Sequence, residues 1–256
     1  MTTIAVIGLG EAGSLYAAGL SAAGAEVRGF DLRPEAAAPG PAVRCDRVEE
    51  AVAGAQLVLS LVWARTAVDA AAATMPHLAP DAVYADLNTA SRDVKQAVAD
   101  LGADRGVAVA DVAVLAPVPR AAERTPLLAS GDGAARVAEL LGPLGAPVEV
   151  LPGPAGDAAQ RKLLRSVFMK GLAAVVVEGL EAARAMDAEA WLRAQITAEL
   201  GGDPARIDRI VHGTTTHAAR RSREVADALT ELERAGADAD MTRAALAWHE
   251  RLRDRG

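Results

Sequence analysis

Residues 3–13 read TIAVIGLGEAG, and the fold is decided there. The first half, 3–8, is a short apolar run rich in β-branched side chains that ends on glycine. That is the pattern of a strand buried on both faces of a parallel sheet. The second half, Gly8-Leu9-Gly10-Glu11-Ala12-Gly13, fits G-x-G-x-x-G, and residues 11–23 continue as an Ala- and Leu-rich helix. Strand, glycine turn and helix in that order give the motif its meaning. Gly8 permits the tight turn, Gly10 lets the backbone approach a pyrophosphate, and Gly13 lets the helix pack on the strand. The helix N-terminus adds free N–H groups and a partial positive charge. A second strand, 26–31, ends at Asp31, 18 residues after Gly13, with Leu32 and Arg33 following. An acid at that place accepts hydrogen bonds from an adenosine ribose and repels a 2′-phosphate, which favours NAD. Arg33 could instead pair with that phosphate, so NADP is the alternative.

The same alternation continues. Strands are expected at 42–45, 57–62, 83–87, 107–115, 127–130 and 148–151, with helices at 46–53, 64–74, 91–101 and 133–141. Alternation of this kind implies an α/β architecture, a Rossmann-type doubly wound parallel sheet. The segment PGPAG at 152–156 breaks the pattern, and no strand follows it. One long helix is expected over 157–185, then helices at 187–200, 204–235 and 239–254. The expectation is a dinucleotide-binding domain over 1–152 and a smaller all-α domain over 153–256.

The 256 residues carry a formal net charge of -7, 51% hydrophobic and 24% charged residues. This is ample for a folded core and excludes a disordered chain. Aromatics are only 3%, so the core is expected to be built from closely packed small side chains. The acidic balance argues against nucleic acid as a partner. Cys45 is the single cysteine, which excludes a disulfide framework and fits a reducing cytoplasm. No His or Cys pair has metal-ligand spacing, so no metal is expected. No signal-peptide pattern opens the sequence, and no apolar run is long enough to span a membrane.

Several stretches resemble the β-hydroxyacid dehydrogenase and 6-phosphogluconate dehydrogenase superfamily. IAVIGLGEAG is similar to its opening I-x-x-I-G-x-G-x-M-G, with Ala12 in place of Met. ADLNTASRD at 85–93 resembles its D-x-S-T segment. GPAGDAAQRKLLRS at 153–166 resembles its G-x-x-G-x-x-x-x-x-K-x-x-N-N segment, whose catalytic lysine falls on Lys162. DVAVLAPVPR (111–120), KLLRSVFMKGL (162–172) and HAARRSREV (217–225) look like a branch with a short helical C-terminal domain of unassigned function. There are departures. Leu115-Ala116-Pro117 stands where relatives place the Ser-Gly-Gly that helps hold a substrate carboxylate. Arg165 and Ser166 replace the two asparagines. Substrate recognition is therefore expected to differ from that of 3-hydroxyisobutyrate or 6-phosphogluconate dehydrogenases.

Only three lysines occur, Lys95, Lys162 and Lys170, against a background of arginine. Helical spacing puts Lys162, Ser166 and Lys170 on one face, flanked by Arg165 and Met169. Periodicity alone fits solvated charges as well as it fits chemistry. The resemblance implies Lys162 as the general acid and base, with Ser166 holding the substrate hydroxyl. His217, Arg220, Arg221 and Glu224 also fall on one helix face. His217 and the arginines could clamp an anionic group, or Arg220 and Glu224 could pair on a solvated face. Leu61, Val62 and Asn88 close strands at the carboxyl edge of the sheet and are expected at the cofactor. Thr89 is expected at the substrate, with Arg165, Met169, Lys170, His217 and Arg221. The resulting expectation is NAD(P)-dependent oxidation or reduction of a small hydroxy or keto acid. The rivals are an imine reductase on the same scaffold and an NAD-binding protein without turnover. The apolar run LAAVVVEGL at 172–180 leads to the expectation of a homodimer packed on that helix.

Overall fold

The computed structural model describes residues 1–255. The chain divides into two compact units, Met1–Lys162 and the residues from Leu163 onward.

The first unit is an eight-stranded sheet flanked by helices. Its strands are β1 (Thr3–Ile7), β2 (Glu26–Phe30), β3 (Val43–Arg44), β4 (Leu57–Ser60), β5 (Val83–Asp86), β6 (Ala108–Val114), β7 (Leu127–Ser130) and β8 (Val148–Val150). Its helices are α1 (Glu11–Ala22), α2 (Val48–Val52), α3 (Ala67–Thr74), α4 (Arg92–Ala103) and α5 (Ala134–Leu141). The strand order is β3-β2-β1-β4-β5-β6-β7-β8. Central strands such as β4 and β5 are buried at every residue, as expected when helices cover both faces. One apolar cluster includes Ile4, Val6, Leu20, Leu59 and Leu141. The other includes Ala5, Val58, Met75, Tyr84 and Val98.

One pairing departs from the all-parallel expectation: β6 and β7 are antiparallel, while β7 and β8 run parallel. The reason lies in the connection. Residues 115–126 hold Pro117, Pro119 and Pro126 and form two 3₁₀ turns without an α-helix. A parallel return needs a crossover, usually helical. No helix is legible there in the sequence either.

Helix α6 (Asp157–Ala185) begins in the first unit and continues into the second. The second unit adds α7 (Glu189–Glu199), α8 (Pro204–Thr216), α9 (Ala218–Arg234) and α10 (Asp240–Asp254). Asp203 caps α8 by accepting from the Ala205 N–H at 3.0 Å, with Pro204 at the first helical position, where its missing N–H costs nothing. Ala173, Val176 and Leu180 of α6 pack with Ile207 and Ile210, and Ala174 and Val177 pack with Ala245 and Trp248.

The single helix expected over 204–235 is two, broken at His217. Thr214, Thr215 and Thr216 precede the break. The first two turn their hydroxyls onto the carbonyls of Ile210 and Val211, a local bond that weakens a helix. The Arg221 Nε donates to the Gly213 carbonyl at 3.0 Å and satisfies the end of α8.

Candidate active site

The strand order reverses between β1 and β4, and ligands of open α/β sheets bind at the carboxyl ends of strands flanking such a switch point. Both strands deliver their turns there. Gly8 sits at φ +96°, and a Cβ on it would lie 2.4 Å from the Leu61 carbonyl oxygen. Only glycine meets both demands. A Cβ on Gly13 would lie 1.8 Å from the Gly8 carbonyl oxygen, whereas Gly10 faces open space. No side chain caps α1 at Gly10, so its first N–H groups and the space before them fit a pyrophosphate.

The side chains around this turn divide by role. Leu9 is buried, and its N–H donates to Asp31 Oδ2 at 2.8 Å. Glu11 is exposed, Ala12 half-buried, and Leu32 almost fully exposed. Asp31 also accepts from the Arg33 backbone N–H and from two guanidinium nitrogens, at 2.9 to 3.1 Å. Burial pushes the Asp31 carboxyl up, but the Arg33 and Leu9 hydrogen bonds outweigh it and hold the group below the usual carboxylate range.

Asn88, expected at the cofactor, joins two strand ends. It is buried. Its side-chain oxygen accepts from the Val62 N–H at 2.6 Å, and its amide nitrogen donates to Ser60 Oγ at 3.1 Å. It therefore brackets the β4 and β5 ends together, with Leu61 and Val62 half-buried beside it. Thr89, the next residue, is exposed, and its Oγ1 accepts from Lys162 Nζ at 3.0 Å. The expected catalytic lysine thus stands at the carboxyl edge of the sheet.

The start of α6, which carries Lys162, is fixed from below. Asp111 Oδ2 accepts from the Gly156 and Ala159 N–H groups at 3.0 and 2.9 Å. Ser130 Oγ accepts from the Ala158 N–H at 3.0 Å. Arg92 pairs with Asp157 at 3.4 Å.

In the helical unit, Lys170 Nζ donates to Ser166 Oγ and pairs with Glu224 at 3.1 Å. Burial pulls the Lys170 ammonium below its ordinary value, opposed by Glu224 and reinforced by Arg221 and Arg220. His249 Nε2 lies 3.3 Å from the Lys170 carbonyl, and burial lowers its imidazole. Met169 is half-buried, and Arg165 and His217 are exposed. His217 is the N-cap of α9 rather than a helical residue, so it does not share a continuous helix face with Arg221. Arg220 pairs loosely with Glu224 at 3.9 Å. Of the residues expected to clamp an anionic group, Arg221 is bonded to the Gly213 carbonyl and Arg220 faces Glu224, while His217 is exposed and makes no side-chain capping bond. No cluster of three or more metal-ligating side chains exists among the described residues, and none of their helices is long and apolar enough to cross a membrane.

Sequence reading passed over Lys95, which is buried with its Nζ 3.3 Å from Asp86 Oδ2 and 3.1 Å from Asp111 Oδ1. The available signal was the rarity of lysine, which marks Lys95 as much as Lys162 and Lys170.

Residues 3–152 match the family described as the NAD binding domain of 6-phosphogluconate dehydrogenase, and residues 183–252 match a domain of unknown function, DUF1932. No curated protein matches the chain. Among solved structures, a conserved hypothetical protein from Sinorhizobium meliloti 1021 is 34% identical, with 98% of this chain and 88% of that one covered and a TM-score of 0.80. A 3-hydroxyisobutyrate dehydrogenase from Mycobacterium tuberculosis, solved with L-serine, is 22% identical over 98% of this chain and 93% of that one, with a TM-score of 0.83. An imine reductase from Pseudomonas sp. is 21% identical over 100% and 94%, with a TM-score of 0.65. The last two likenesses are of fold.

Proposed function

The chain belongs to the family of the NAD-binding domain of 6-phosphogluconate dehydrogenase, and from that premise we propose that it is an NAD(P)-dependent oxidoreductase acting on a small hydroxy acid or keto acid. NAD is the proposed cofactor, and Lys162 the general acid and base. The observation that carries the reading is the hydrogen bond between Lys162 Nζ and Thr89 Oγ1 at the carboxyl edge of the sheet.

When bound, the nicotinamide supplies the hydride chemistry. The chain supplies the rest. The open face of Gly10 and the uncapped N–H groups of α1 receive the pyrophosphate charge. Asp31 offers its carboxylate to the ribose hydroxyls in exchange for part of its Arg33 bonding. Lys162, in its neutral form, takes the proton from a substrate hydroxyl; in the reverse direction its ammonium returns that proton to the developing alkoxide. Thr89 is one acceptor that orients the amine.

The first experiment is a panel of hydroxy acids, keto acids and imines assayed with both nucleotides. Turnover of the oxygen compounds with NAD supports the proposal, turnover of imines assigns C=N chemistry, and nucleotide binding without turnover assigns a binding role. Lys162→Ala is expected to lower kcat by roughly 10²- to 10⁴-fold while nucleotide affinity holds. Lys162→Arg is not expected to rescue it, because a guanidinium stays protonated. Near-normal turnover of folded Lys162→Ala would remove the acid–base role. The homodimer, also proposed, is argued in the Discussion.

A further inference from the structure

Lys95 is a fully buried charged side chain, at 2% exposure, between two carboxylates that are themselves 1% exposed. Asp86 and Asp111 are register partners on β5 and β6. The Lys95 Nζ donates to the Asp86 carbonyl at 2.7 Å and lies 3.3 Å from Asp86 Oδ2 and 3.1 Å from Asp111 Oδ1. Those two oxygens are buried and accept no hydrogen bond, so their charge is met by the ammonium. Two adjacent buried carboxylates repel strongly, and a buried charge is expensive unless paired. A packed apolar side chain would fill this place more cheaply.

What each carboxylate does with its other oxygen suggests why the charges are there. Asp86 Oδ1 accepts from the Asn88 N–H at 2.9 Å. It thereby fixes the turn in which Asn88 brackets Val62 and Ser60 and Thr89 meets Lys162. Asp111 Oδ2 holds the Gly156 and Ala159 N–H groups at the start of α6, the helix that carries Lys162. Two arms thus leave one ammonium and rejoin at the Lys162–Thr89 contact, all within the first unit. We propose that Lys95, with Asp86 and Asp111, is the positioning device that aligns Lys162 against Thr89. It is a positioning residue, since it reaches neither the crevice nor the reacting atoms.

The experiment compares Lys95→Met, Asp111→Asn and the double variant, by amide hydrogen exchange and by steady-state kinetics. Only the kinetic arm rests on Lys162 being the acid–base group; the exchange arm stands or falls without it. Lys95→Met leaves two carboxylates facing each other. It is expected to raise exchange at 86–90 and at 156–162 together, with nucleotide affinity within about threefold and kcat down about 10- to 100-fold, the scale of a misplaced group. Adding Asp111→Asn removes the repulsion, so the double variant is expected to regain protection at 86–90 and part of the rate. Additive losses, as from simple loss of packing, would overturn the proposal, as would unchanged protection in folded Lys95→Met. Asp111→Asn alone keeps the Lys95–Asp86 pair and is expected to loosen 156–162 and not 86–90. It decides the matter if Lys95→Met does not fold, because equal loosening of both segments, or of neither, overturns the proposal. Exchange as expected without any measurable wild-type turnover would leave the positioning intact and remove the enzymatic reading.

Discussion

At the scale of single residues, the three glycines of the motif separate folding from binding. Gly10 has φ -71° and open space before it, so Gly10→Ala is conformationally compatible; the entropic gain of alanine is offset by its poor fit as the N-cap of α1, and stability is expected to change by less than about 1 kcal/mol. The new methyl group fills the place where the pyrophosphate meets the backbone, so NAD affinity is expected to fall at least about tenfold. Gly13→Ala puts its methyl 1.8 Å from the Gly8 carbonyl oxygen and is expected to cost about 1–3 kcal/mol of stability by forcing α1 off β1. Thermal melts with calorimetric NAD titration check both variants, and equal loss of stability in the two would contradict the division. Asp31 belongs to the same scale. Its carboxyl is held below the usual range, so its stabilising interactions are present above the unfolded pKa and are lost only as pH falls through the lower folded value. Its contribution to NAD binding is accordingly flat from about pH 5 to pH 8. Asp31→Asn is expected to raise kcat/KM with NADP relative to NAD, and a wild type that already prefers NADP would make Arg33 the reader. These residues were legible because glycine spacing and a strand-end acid are local signals. Asn88 was only half legible: its place at the strand end follows from sequence, but its commitment to Val62 and Ser60 depends on partners 26 and 28 residues away. Lys95 belongs with it, since its two carboxylates are brought together by strand register.

Among the elements, sequence periodicity located all eight strands to within a residue or two and found α6 at 157–185 with the observed limits. It failed where one helix follows another without an intervening loop. The apolar and polar positions of 204–235 continue smoothly through His217, and the interruption is written only in Gly213 and the three threonines after it. The break persists because Arg221 reaches back to the Gly213 carbonyl. Arg221→Met removes that donor while keeping most of the aliphatic stem, leaving a carbonyl of the last turn of α8 short of a partner. A cost of about 1–3 kcal/mol is expected in urea unfolding, with faster amide exchange concentrated at 210–217. Removing the Arg221 charge also relieves a repulsion on Lys170, so the Lys170 ammonium is expected to titrate higher than in the wild type. Unchanged stability would mean that α8 and α9 are held apart by packing alone. The antiparallel β7 follows the same logic from the other side. Its signal, prolines and no helix between 115 and 126, was present in the sequence, but strand direction is a property of the connection rather than of the strand.

For the whole molecule, the open question is what covers α6. The apolar run 172–180 that first suggested a partner is mostly satisfied within the chain: Ala173, Ala174, Val176, Val177 and Leu180 are buried, against Ile207 and Ile210 in one cluster and Ala245 and Trp248 in another. The surplus is Val175 of that run together with residues earlier on the same helix. Leu164, Phe168 and Val175 are 51%, 63% and 64% exposed. Their spacings of four and seven residues align them along one face. Each would contribute up to about 1.5–3 kcal/mol if fully withdrawn from water, and an aromatic anchor of this kind is what a homotypic helix contact uses. A second copy of the chain is the expected occupant, since a two-fold contact buries the same stripe on both protomers. Light scattering at micromolar concentration is expected to give the mass of a dimer. Raising the salt should leave it intact, because the contact is apolar rather than ionic. Phe168→Glu places a charge at the centre of the stripe, away from the buried residues of the helix. It is expected to give a monomer with an unchanged circular dichroism spectrum. A wild-type monomer would rule out the dimer, and a dimer that survives Phe168→Glu would move the interface to another face.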